Sequence, residues 1–120
     1  MTTEGEVRIT VDDDPGELRS LIKWLRAEDD LRGRLTLREG ERRPGHMGGT
    51  LEAVSLLLGS GFGTVLTRSL FTYLGQRRKA VVLDLKLKRE DGRELQLKLT
   101  NDKSAESILR EAARFLDNSE

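Results

Sequence analysis

The chain has 120 residues, 36% of them apolar and 35% charged, with 21 basic side chains set against 21 acidic ones. That length suits one domain with its own core, 1–120 as a single unit. The even charge balance excludes a dedicated nucleic-acid binder, which needs a surplus of cations to release counterions, and a domain held on anionic lipid by bulk charge.

There is no cysteine, so disulfides, thiolate metal sites and cysteine nucleophiles are excluded. The opening MTTEGEVRIT has neither the basic nor the apolar stretch of a signal peptide. No run approaches the roughly 18–20 apolar residues of a membrane span. The expectation is a soluble, cytoplasmic protein.

Val7, Ile9 and Val11 alternate with Arg8, Thr10 and Asp12, the period of a half-buried strand. Asp12, Asp13, Asp14 and Pro15 then stop the strand and start a helix over 15–29. Asp14 stands at the N-cap, Pro15 at the first helical position and Glu17 at the third. Leu18, Leu21, Ile22 and Leu25 share one helical face, with Trp24 at its border, where a large aromatic covers the edge of a core. After Gly33, residues 34–38 alternate again as a second strand. Residues 39–49 form a polar loop punctuated by Gly and Pro.

From Thr50 the character changes: between Glu52 and Arg68 no residue is charged. Leu51, Val54, Leu57 and Leu58 suggest a helix over 50–58. It is broken at Gly59-Ser60-Gly61 and followed by a second helix over 64–76. Such a hairpin serves as core, as an apolar surface kept for a partner or for self-association, or as a membrane-seeking element. Each half is too short to span a bilayer. Arg77, Arg78 and Lys79 read as a solvated helix end.

The last third is plain. Val81, Leu83, Leu85 and Leu87, then Leu95, Leu97 and Leu99, alternate on either side of Asp91-Gly92, a strong hairpin signal. A capped helix follows with Ile108, Leu109, Ala112, Phe115 and Leu116 as its stripe. The expected fold is α+β in the order β-α-β-α-α-β-β-α, a small four-stranded, mostly antiparallel sheet with helices on one face.

No constellation for chemistry stands out. His46 is the one histidine, with no nucleophile or carboxylate beside it in sequence, and it lacks the ligand spacing of a metal site. Gly48-Gly49-Thr50 lacks the lysine of a phosphate loop. The aspartates at 12–14 lack EF-hand spacing. No catalytic, cofactor or metal residue is assigned, and no enzyme is expected.

Several ordered features carry a resemblance. They are the run from Glu17 to Leu25, the loop Pro44-Gly45-His46-Met47-Gly48-Gly49, the Gly-Ser-Gly break, the Leu-Gly-Gln-Arg-Arg helix end and the Asp91-Gly92-Arg93 hairpin. Together they resemble the effector-associated constant component family of actinobacterial conflict (defence) systems, over Val7 to Leu116. The resemblance implies an accessory protein that accompanies proteases or NTP-dependent regulators, a non-enzymatic adaptor with a protein partner, and it supplies no catalytic residues. The contact is expected within Pro44–Gly75, at His46, Met47, Gly48, Gly49, Phe62, Phe71 and Tyr73. The alternative is a membrane-acting effector whose 50–75 hairpin inserts on activation.

Overall fold

The computed structural model describes residues 5–11, 15–39, 51–58, 62–89 and 91–117. Strand β1 (Gly5–Val11) leads to helix α1 (Pro15–Arg26), and a single 3-10 turn (Arg32–Arg34) precedes β2 (Leu35–Glu39). Then come β3 (Leu51–Leu58), α2 (Phe62–Gly75), β4 (Val82–Lys88), β5 (Glu94–Thr100) and α3 (Ala105–Asp117).

The architecture is α+β as expected, with one difference: the sheet has five strands, in the order β2-β3-β1-β4-β5, and every pair is antiparallel. The fifth strand is β3, so the helix expected over 50–58, and with it the helical hairpin of 50–75, is not formed. The reason is positional. β3 lies between β2 and β1, and Ala53, Val54, Ser55 and Leu56 are all buried, on both faces of the strand. On the face away from the helices Ser55 is covered by the Arg38 side chain, which donates to its hydroxyl at 3.0 Å. With small or apolar residues at its outward positions too, the strand reads as a continuous apolar run, which periodicity cannot tell from a buried helix.

The order has a consequence for topology. β1-α1-β2 is a β-α-β unit split by β3, and β3-α2-β4 is a second one split by β1. This is the interleaved arrangement of ferredoxin-like domains, here extended by a β4–β5 hairpin and α3. A split of this kind puts both crossover helices over one face of the sheet. All three helices share one core with it: Leu18, Leu21 and Leu25 of α1, Leu66 and Leu70 of α2, and Leu109 of α3 pack with Val7, Ile9, Val54, Leu56, Leu83, Leu85, Leu87 and Leu99.

Two local devices hold the C-terminal half. At the β4–β5 turn Gly92 sits at φ 92°, a left-handed conformation that suits glycine. The Arg93 N–H donates to Asp91 Oδ1 at 3.0 Å beside it. Between α2 and β4, Asn101 acts as a clamp. Its Oδ1 accepts from the Val81 N–H at 2.9 Å and its Nδ2 donates to the Lys79 carbonyl at 2.7 Å. Ahead of α3, Asp102 accepts from both the N–H and the hydroxyl of Ser104 and from Thr100 Oγ1. Those bonds, the Ser104 hydroxyl foremost, hold its carboxyl below the usual aspartate range.

Candidate interaction surface

Four of the residues expected to meet a partner, His46, Met47, Gly48 and Gly49, lie outside the described residues, as do the Asp14 cap and the Gly59-Ser60-Gly61 break. The other three are all on α2 but do different things. Phe62 is half-buried at the helix start, with the Arg34 guanidinium 3.9 Å from its ring centroid. Phe71 is 48% exposed, while Tyr73 is only 3% exposed.

Tyr73 belongs to a polar cluster sealed between α1 and α2. Its hydroxyl donates to Glu17 Oε2, and Glu17 is 2% exposed although it stands in the first turn of α1. The other carboxylate oxygen accepts from Arg77 Nη2 at 2.8 Å and lies 3.4 Å from Lys79 Nζ. Trp24 borders the cluster, its ring tilted 55° to that of Tyr73 at 5.8 Å, and its indole N–H donates to Ser69 Oγ at 2.9 Å. Burial first, and the neighbouring Glu17 second, push the Tyr73 phenol up from 10.0 to about 12. A phenol held in its neutral form is no nucleophile at neutral pH, and the Glu17 carboxylate is already occupied by three donors. The cluster joins α1 to α2, and Arg77 and Lys79 serve it, which corrects the reading of 77–79 as simply a solvated helix end.

The opposite face of the sheet is built differently. Alternation along the strands puts Glu6, Arg8, Ser55, Leu57, Asp84, Lys86, Lys88, Glu94, Gln96 and Lys98 away from the helices, and the register arranges them in rows across the strands. One row reads Leu57, Glu6, Lys88, Glu94, with signs alternating. Another pairs Asp84 with Lys98. The middle row reads Thr36, Ser55, Arg8, Lys86, Gln96, and it holds two cations side by side with no carboxylate. Arg8 Nε is buried without a hydrogen-bond partner. Of the nearby carboxylates, Glu6 accepts from Arg38 at 3.3 Å, and Glu94, from the adjoining row, reaches Lys86 only in a loose, half-exposed pair at 3.9 Å. A small cleft of about 100 Å³ opens among Glu6, Arg8, Lys86, Lys88 and Glu94.

Among the described residues, no three His, Cys, Asp or Glu side chains gather as a metal-binding group, and no helix is long and apolar enough to cross a membrane. The model of the Effector Associated Constant Component 1 family matches residues 10–116. The chain belongs to that family. Comparison with curated proteins and with solved structures gives no significant match. Membership makes the chain a component of an effector-associated system. The matched span runs from the end of β1 to the end of α3 and so takes in both the sealed cluster and most of the open face.

Neither region was visible as a site in the sequence. A weak signal existed for Glu17, which stands four residues before Leu21 and so falls beside the buried stripe of α1; Arg77 lies beyond the end of α2 and had none. For the open face no such signal exists, because only strand pairing shows that Arg8 and Lys86 are neighbours.

Proposed function

We propose that this protein is a non-enzymatic adaptor of a bacterial conflict system, joining an effector or an NTP-dependent regulator to the rest of its apparatus by direct protein contact. The observation that carries this reading is the family match over residues 10–116. The open sheet face supports it: among the described residues it is a broad polar surface without a reactive constellation, standing opposite a helix layer in which Tyr73 and Arg77 converge on the buried Glu17. The actinobacterial setting follows from the sequence resemblance described above.

The membrane-acting alternative has lost its basis. It required residues 50–75 to form a pair of apolar helices, and 51–58 are instead an internal strand of the sheet. Pulling such a strand out would break its pairing with both β1 and β2.

The test is binding between the purified protein and the proteins encoded beside it, measured by pull-down and calorimetry with and without nucleotide. A stoichiometric complex with one of them is the expected result. If every neighbour fails to bind under both conditions, the adaptor reading is wrong.

A further inference from the structure

We propose that the open face of the sheet is the docking surface, and that its occupant is an acidic segment of a partner protein whose carboxylate seats against Arg8 and Lys86. This rests on the adaptor reading and adds to it the place and the chemistry of the contact.

Arg8 and Lys86 stand directly opposite each other in the β1–β4 register, and like charges so placed destabilise a sheet. The other cross-strand neighbour of Arg8 is Ser55, not a carboxylate. Arg8 as a whole is only partly buried, although its Nε is shut away from water and so from a ligand. An incoming carboxylate offsets the repulsion between the two cations, since guanidinium forks match carboxylates in geometry and charge.

The rest of the face fits the same occupant. The rows on either side hold carboxylates among their cations, so the middle row is where two cations of this face stand in register with no carboxylate between or beside them in that row. Leu57, 46% exposed, adjoins Glu6 on this face and offers an apolar contact beside the charged one.

Two other occupants fit less well. A second copy related by a two-fold axis would bring one Arg8–Lys86 row against another, and like would face like. Single-stranded nucleic acid is bound by aromatic platforms and continuous basic grooves. All five aromatic side chains here, Trp24, Phe62, Phe71, Tyr73 and Phe115, lie on helices, and Glu6, Asp84 and Glu94 interrupt the basic surface.

The experiment titrates the full chain, labelled for amide NMR, with a short peptide of alternating glutamate and serine at low salt. The matching lysine–serine peptide and an oligothymidylate serve as parallel probes. Shifts confined to β1, β3 and β4 around Arg8, Ser55 and Lys86 are expected with the acidic peptide alone. Binding should weaken with added salt and fall about tenfold or more in Arg8→Glu and in Lys86→Glu. Lys86 is exposed, so the second variant keeps the test valid if the first fails to fold. No binding of the acidic peptide, shifts on the helices instead, or oligothymidylate binding in preference to it overturns the proposal.

The same two variants are then measured against any component that binds the wild-type protein. Equal affinity of variants and wild type overturns the docking surface and leaves the adaptor reading standing. If no component binds, the adaptor reading fails, and the peptide titration still judges the face.

Discussion

The two faces of this small sheet handle charge in opposite ways. Under the helices, Glu17 is buried, but Tyr73, Arg77 and Lys79 converge on its two oxygens. On the open face, Arg8 and Lys86 are nearer to solvent, yet neither has a carboxylate opposite it in the register. The comparison teaches that balanced composition says little about balanced surfaces. The chain carries 21 charges of each sign and still builds one region where opposite charges converge and one row where like charges stand side by side. The buried cluster is a joint between α1 and α2; the row is the proposed seat of the outside group.

The largest effect should come from breaking the joint. Glu17→Ala leaves Arg77, whose Nε is already buried without a partner, facing a cavity. It should destabilise the fold by about 3 kcal/mol, read as a lower urea midpoint at unchanged slope. A Glu17→Met, Arg77→Met double variant should recover most of that loss, because no buried charge is then abandoned. If the double variant is as unstable as the single one, packing rather than charge holds the joint.

Next in size is the phenol. Tyr73→Phe removes one hydrogen bond to a charged acceptor and should cost about 2 kcal/mol. Its pH signature follows from the phenol being pushed up to about 12. The folded protein holds its proton more tightly than the unfolded chain. That contribution is therefore complete below pH 10 and is lost as the pH rises from 10 towards 12. Tyr73 is the one tyrosine in the chain, so phenolate absorbance follows it alone. The midpoint should fall near 12 in native protein, near 10 when unfolded in urea, and the alkaline loss of stability should be shallower in Tyr73→Phe.

Asn101→Ala probes a neutral counterpart of the joint. Loss of its bonds to Val81 and Lys79 should cost about 1–2 kcal/mol and speed amide exchange at Val81. The smallest effect is expected on the open face. Lys86→Glu should leave stability within about 0.5 kcal/mol of wild type, because the attraction it gains beside Arg8 is offset by the repulsion it sets up with Glu94, now the partner of Lys86 in a loose pair. A large destabilisation there would show that the row is structural and would erase the contrast between the faces.

Much of the fold was legible from local pattern. The Leu18, Leu21, Ile22, Leu25 stripe, the alternation through Leu83, Leu85 and Leu87, the Asp91-Gly92 turn and the stripe of α3 each follow from a period or a turn residue, and each is where it was expected. Residues 51–58 read as a helix because their positions on the open face, Ala53, Ser55 and Leu57, are small or apolar, so this strand lacks the charged alternation that β1 shows with Glu6 and Arg8. The candidate surfaces were less legible still. Glu17 and Tyr73 are 56 residues apart in sequence, and nothing local announces their meeting.

What the sequence determined by itself was the class of the domain, most of its elements, its lack of any cysteine chemistry and, through ordered motifs from Glu17 to Arg93, its family. What only the tertiary structure decided was the fate of the charges. Whether a carboxylate is sealed under three donors or a guanidinium is left beside a lysine depends on strand order and helix placement. Those are set by the shared burial of residues far apart in the chain, and pairings of that range leave no period in a sequence.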